Sequence, residues 1–340
     1  MKAAILHDYK QPLRIEDVPR PECAADEVLI QVEACGVCHS DLHLAEGGWP
    51  QLLSAVTVKK PLVMGHEAVG RVVEKGRDVA QFALGDRVGV AWIYWSCGQC
   101  RLCKEGLENL CPRQIITGVT VDGGYAEFVK AKASHVTRVP ETLSAQEAAP
   151  LFCAGLTVYR SSKKAGIRPG QRVAVFGIGG LGHLAVQVAK SFQAEVIGID
   201  VTEEKLALAR SLGADHALNA AAGDFAAQLK KVGGPHVALV TSAAKAAYDL
   251  AFSSLRPDGT LAVIGLPAED LTFPPIVMVA RETRIVASSV GTRADLRELL
   301  DLAAAGKVRC HSEARPLAQI NQVFDDMRHG RILGRVVVRA

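Results

Sequence analysis

No run of this chain approaches the ~18 consecutive apolar residues that a membrane-spanning helix needs, so no membrane partner is expected. The opening residues, Met1 to Asp8, contain no apolar signal core, and a cytoplasmic location is expected. Lys and Arg form no block either. The formal net charge is only +3 and the basic residues are dispersed, which leaves nothing to neutralise a phosphate backbone. Nucleic acid is not an expected partner. Internal repeats and low-complexity stretches are also missing. What remains is a globular chain of 340 residues, 49% of them hydrophobic, too long for one simple core and suited to two domains.

Short β-rich runs such as 27–32 and 86–90, broken by Gly and Pro turns, fill the chain up to about residue 150 and read as a mostly β domain. Beyond Pro150 strands and helices alternate. A buried strand at 172–176 leads into a helix carrying Leu181, Leu184, Ala185 and Val188, and a strand at 196–200 completes a βαβ unit, which needs helices on both faces of its sheet. Further strands read at 237–240 and 261–264, then a helix at 294–305 and a last strand at 334–338 that is expected to pair back into the first domain. The expected fold is therefore α/β. A Rossmann doubly wound parallel sheet spans 154–289, and a discontinuous, mostly β domain takes 1–153 and 290–340.

Gly177-Ile178-Gly179-Gly180-Leu181-Gly182 follows a strand and opens a helix. Its glycines permit a tight turn, close approach to a pyrophosphate and close helix packing, and the helix N-terminus attracts the phosphates. Asp200 ends the second strand, where a carboxylate accepts hydrogen bonds from the adenine ribose hydroxyls and repels a 2′-phosphate. NAD is favoured over NADP. Lys205 either reaches the same ribose or is a solvated helix lysine.

Four of nine cysteines, Cys97, Cys100, Cys103 and Cys111, fall within fifteen residues. In a chain without a signal peptide such a cluster points to metal rather than disulfides, and four thiolates close a tetrahedral zinc shell. Cys38, His66 and Cys153 stand far apart and would supply three ligands, leaving a fourth position for water or substrate. Taken singly, the two cysteines would be buried thiols and His66 a hydrogen-bonded loop histidine. Cys23, Cys35 and Cys310 fit no ligand spacing and read as structural thiols. His183 and His216 are expected to pack within Rossmann elements.

The stretch from Cys35 through Cys38, His39, Ser40 and Asp41 to His43, then Gly65-His66-Glu67, the four-cysteine loop, Cys153 and the glycine motif occur in one order along nearly the whole chain. This order resembles the zinc-dependent medium-chain alcohol dehydrogenases. The tetrameric bacterial and yeast-like branch is nearest, because Cys111 leads to Gly123-Gly124-Tyr125 without a long insertion.

The resemblance implies a GroES-like catalytic domain with a catalytic zinc on Cys38, His66 and Cys153 and a structural zinc on the 97–111 loop. It makes Asp41 the carboxylate that orients His66, and Glu67 an acidic neighbour of the metal; a surface glutamate is the alternative for Glu67. Thr157 would pack on the nicotinamide, Val290 would also touch the cofactor, and Arg335 and His39 would contact its phosphates. Ser40 would take the proton of the alcohol and His43 would pass it to solvent, unless Ser40 merely caps a turn and His43 is a surface histidine.

The activity implied is reversible hydride transfer between primary alcohols, with secondary or aromatic ones in reach, and NAD. The expected assembly is a homotetramer, with a dimer as the alternative. Trp49 and Trp92 match aromatic positions that narrow the pocket for small alcohols, although either could be ordinary core. The 50–60 segment runs longer than that branch leads one to expect and would open the pocket to larger alcohols. The rival enzyme reading is an NADPH-dependent aldehyde reductase of the same superfamily, against which Asp200 argues. A zinc ribbon that binds nucleic acid or protein is opposed by the missing basic face.

Overall fold

The computed structural model describes residues 1–48 and 56–340. Its chain forms two units, one of Met1–Cys153, Thr292–Ala304 and Cys310–Ala340, the other of Ala154–Gly291 and Ala305–Arg309. The second crossing thus falls two residues beyond the border that the sequence placed at 290, and 305–309 count with the second unit.

The first unit is organised by the strand Glu27–Gly36, whose Val28, Leu29, Ile30, Ala34 and Cys35 are all fully buried. It pairs antiparallel with Ala68–Lys75, with Phe128–Lys132 and with Arg335–Arg339. These belong to a seven-stranded sheet, and a three-stranded sheet of Lys2–Leu6, Arg14–Asp17 and Leu62–Val63 lies in the same unit. The strand read at 334–338 runs over Arg335–Arg339 and returns to the first unit, so that unit is discontinuous. Between them, the helix Ile320–Arg328 turns Ile320, Val323, Phe324 and Met327 onto the core, the i, i+3, i+4, i+7 spacing of one helix face.

The second unit is a six-stranded parallel sheet. In chain order its strands are Arg172–Phe176, Glu195–Asp200, His216–Asn219, Val237–Val240, Thr260–Val263 and Arg284–Ala287, and across the sheet they lie 3-2-1-4-5-6, the Rossmann order. Strands buried on both faces need continuous apolar runs. The first and fourth strands supply them as Val-Ala-Val-Phe and Val-Ala-Leu-Val. Because these two strands are neighbours whose connections lead to opposite sides, their carboxyl ends form the switch point where such sheets bind ligands. Among the described residues no helix is long and apolar enough to cross a membrane.

Candidate active site

Within the first unit Cys38, His66, Glu67 and Cys153 each offer a ligand atom, and these atoms all lie within 4.8 Å of one another. They arrive on separate pieces of backbone. Cys38 is the N-cap of the helix His39–Ala45. His66 and Glu67 lie between the strands Leu62–Val63 and Ala68–Lys75, and Cys153 follows the 3-10 turn Ala149–Phe152. His66 and Glu67 have no exposed surface at all.

The hydrogen bonds fix how His66 is presented. Its Nδ1 donates to Asp41 Oδ1 at 2.9 Å, which leaves Nε2 as the lone-pair nitrogen. Nε2 is buried and has no hydrogen-bond partner. An acceptor left that way costs roughly 1–3 kcal/mol, a cost that a cation shared with the two cysteine sulfurs would remove. These residues fit zinc. Asp41 also accepts the Cys38 backbone N–H at 3.0 Å, so one carboxylate caps the helix and steadies both His66 and Cys38. A hydrogen bond from the Cys153 thiol holds the Cys38 thiol well below its usual range, against burial; a low thiol favours the ligating thiolate.

Glu67 is not at the surface. Arg335 Nη2 lies 2.7 and 2.6 Å from its two carboxylate oxygens and donates to Val37 O at 2.9 Å. Burial pushes the Glu67 carboxyl up to about 8, while the Arg335 guanidinium pulls it down. Arg335 is thus engaged inside the first unit, and its Nε is buried without a partner.

Ser40 Oγ lies 3.6 Å from Cys38 Sγ. His43 follows three residues later on the same helix, half-buried, with its ring 6.4 Å from that of the exposed His39. Trp92 stands edge-on to His66 with centroids 4.8 Å apart, so it is a contact of the His66 ring. Trp49 and positions 50–55 of the longer segment lie outside the described residues.

The four loop cysteines form a second group whose sulfurs are all within 4.8 Å of one another. Cys97 Sγ is 3.9 Å from Cys103 Sγ and 3.6 Å from Cys111 Sγ, close to the ~3.8 Å edge of a tetrahedron with Zn–S bonds of ~2.3 Å. Backbone N–H groups of Gln99 and Cys100, with Arg113, hold the Cys97 thiol down at about 5. Zinc fits here too. The loop is tied down at both ends. Ser96 N–H donates to His135 Nε2 at 3.0 Å, and the buried Glu108 accepts Arg293 N–H at 2.9 Å.

In the second unit the glycine loop joins the strand Arg172–Phe176 to the helix Gly182–Ser191, with Leu181 as N-cap. A Cβ on Gly182 would come within 1.8 Å of Gly177 O, whereas a Cβ on Gly179 would meet nothing within 4 Å. The turn is closed at its base and open where a pyrophosphate would approach, so a dinucleotide fits. Asp200 accepts N–H bonds from Ile178 at 2.7 Å, Val201 at 2.8 Å and Thr202 at 3.1 Å. It therefore binds the glycine loop as well as ending its strand. Lys205 Nζ is 4.0 Å from the same carboxylate. Thr157 is half-buried on the helix Ala154–Lys164, and Val290, also half-buried, adopts φ +43°, a conformation that β-branched residues rarely take.

Reading the sequence missed several partners. Thr241 Oγ1 donates to Phe176 O at 3.1 Å and closes the turn beside Gly177. Tyr125 donates its hydroxyl to Asp41 Oδ2 at 2.7 Å. A polar residue directly after a central strand was the available signal for Thr241. His183 and His216 do pack within the sheet unit, bonded to Gly179 O and to Glu195.

A Rossmann sheet in one unit and two cysteine-bearing groups that could hold a metal ion in the other fit a zinc-binding dehydrogenase. Residues 24–141 match the alcohol dehydrogenase GroES-like domain and residues 180–305 the zinc-binding dehydrogenase domain. An alcohol dehydrogenase of Geobacillus stearothermophilus is 47% identical over 340 residues, covering 100% of this chain and 99% of that one. The crystal structure of the alcohol dehydrogenase from the archaeon Aeropyrum pernix superposes with a TM-score of 0.91 at 38% identity over 100% of both chains. Acetophenone reductase of Geotrichum candidum, solved with NAD, gives 0.88 at 31% identity over 100% of this chain and 97% of that one. The chain belongs to the zinc-dependent medium-chain alcohol dehydrogenase family, and it is an oxidoreductase.

Proposed function

We propose that the chain is an NAD-dependent alcohol dehydrogenase that interconverts primary alcohols and aldehydes. One observation carries the reading. His66 Nε2 is buried and unpartnered beside two cysteine sulfurs, while Asp41 fixes the opposite nitrogen. Cys38, His66 and Cys153 would hold one zinc with a position left for substrate, and Cys97, Cys100, Cys103 and Cys111 a second, closed one. When bound, the open zinc would act as a Lewis acid on the alcohol oxygen, and NAD would supply the hydride acceptor.

The side chains do the rest. Asp41 keeps the His66 ring in the ligating tautomer. The Ser40 hydroxyl would take the alcohol proton as it gives up its own towards His43, which would release a proton to solvent. Glu67, braced by Arg335, sets a buried acidic group beside the two thiols. Gly177, Gly179, Gly180, Leu181 and Gly182 shape the pyrophosphate turn, and Asp200 with Lys205 takes the adenosine ribose. His39, Thr157, Val290 and Arg335 are the remaining nucleotide contacts in this proposal. The Asp200 carboxylate would repel a 2′-phosphate, which supports NAD over NADP and disfavours the aldehyde reductase alternative. Trp92 would wall the pocket beside His66 and favour small alcohols. A cytoplasmic homotetramer completes the reading, and its mass in solution checks the assembly.

The test is a panel of aliphatic and aromatic alcohols assayed with NAD and with NADP, together with zinc content. Two zinc ions per chain and turnover of small primary alcohols with NAD are expected. Cys38→Ser should lower turnover at least ~100-fold, beyond what losing an outer partner of the metal typically costs, while keeping one zinc and the fold. A folded Cys38→Ser enzyme with full turnover would sink the proposal.

A further inference from the structure

We infer that Tyr125 is a positioning residue for the open metal site, acting on His66 and Cys38 through Asp41; the inference rests on the zinc reading of those ligands. The stretch Gly123-Gly124-Tyr125 is zipped along the backbone that delivers His66. Gly123 N–H donates to Val63 O at 2.7 Å, Gly124 to Gly65 O at 2.8 Å and Tyr125 to Met64 O at 2.9 Å.

The side chain completes the brace. Gly65 has φ +92°, and a Cβ there would lie 2.5 Å from the Tyr125 ring. The ring therefore fills the space that only a glycine before His66 leaves open. Tyr125 is 0% exposed, so water has no route to stand in for its hydroxyl. That hydroxyl donates to Asp41 Oδ2 at 2.7 Å, the oxygen that also accepts Cys38 N–H at 3.0 Å, while Oδ1 takes His66 Nδ1 at 2.9 Å. A carboxylate held at both oxygens cannot turn about its last torsion, so the imidazole plane and the Cys38 backbone are set together. Partners of this kind are typically worth 10–100-fold in metal affinity.

Tyr125→Phe removes only the hydroxyl and keeps the ring against Gly65. Zinc-loaded full-length wild type and variant are titrated with chelators of graded strength, and zinc retention is followed by native mass spectrometry. The dissociation constant of the open-site zinc should rise about 10–100-fold while the four-cysteine zinc holds as before. Unchanged affinity would overturn the inference, and so would parallel loss from both sites, which reports general loosening. A second arm places Tyr125→Phe in an Asp41→Asn background, where it should add nothing; a further loss there would also overturn it. Failure of the zinc reading itself looks different. Wild type and Cys38→Ser would then hold the same zinc before Tyr125 is touched.

Discussion

Asp200 does two jobs with one carboxylate. It ties the glycine loop through Ile178 N–H and presents negative charge where the adenosine ribose is proposed to sit. Asp200→Asn keeps the size and removes the charge; it also gives up the N–H bonds that one of the two oxygens accepts, a loss that bears on both cofactors alike and so leaves their ratio to report the charge. The ratio of kcat/KM for NAD over NADP should fall at least tenfold, or about 1.4 kcal/mol, in initial-rate assays with both cofactors. An unchanged ratio would place coenzyme choice elsewhere. The likeness of this site to a dinucleotide fold was legible because glycine spacing and a strand-ending acid are local signals. The 97–111 cluster was legible by its count and spacing, whereas Cys38, His66 and Cys153, far apart in the chain, were picked out only by the family resemblance; the structure brings the donor atoms of each group within 4.8 Å of one another. Tyr125 was not legible as a partner of Asp41. The two lie 84 residues apart, and a buried tyrosine after two glycines reads as core until the chain has folded.

At the level of elements, the 97–111 loop shows how a small four-cysteine piece is anchored. His135 accepts Ser96 N–H at Nε2, and its Nδ1 lies 2.9 Å from Ser134 Oγ. Burial, then the charge of Arg293, pushes the imidazole down to about 4, whereas an unfolded histidine titrates near 6.5. The unfolded chain takes up the proton first, so the contribution of His135 is fully present above pH ~6.5 and is lost as pH falls towards ~4. That loss amounts to at most about 3 kcal/mol. The Tm advantage of wild type over His135→Asn should therefore shrink across this window in calorimetry. A constant gap would mean the ring is not held neutral.

Element boundaries followed the same logic as the residues. The strands at 172–176 and 237–240 were read to the residue because parallel strands are bounded apolar runs. The strand begun at Glu27 runs on to Gly36, past Glu33, because long-range pairing with Ala68–Lys75 outweighs that residue's low strand propensity. The helix Ile320–Arg328 went unread although its apolar spacing was there to find.

Across the whole molecule, the first unit is closed by a strand from the far end of the chain. Val336, Val337 and Val338 are each no more than 2% exposed, and a fully buried valine contributes about 1.5–3 kcal/mol. Three of them approach the entire 5–15 kcal/mol stability of a typical domain. Their loss would also leave the buried Glu67 carboxyl without Arg335, its hydrogen-bond partner. A fragment of residues 1–153 should therefore fail to unfold cooperatively in urea and should bind no zinc at Cys38, His66 and Cys153. Cooperative unfolding of that fragment would contradict this view of the sheet.

The same strand sets an order of events during biosynthesis. Synthesis proceeds at ~5–20 residues per second, so Arg335–Arg339 leaves the ribosome roughly ten to forty seconds after Cys153. The parallel sheet of the second unit, nearly continuous in sequence, can close in that interval, but the first unit cannot. Until that strand pairs, the thiols of Cys38 and Cys153 and the ring of His66 are not yet enclosed, so a metal held by them as proposed would be sealed in only after Arg335–Arg339 has been made.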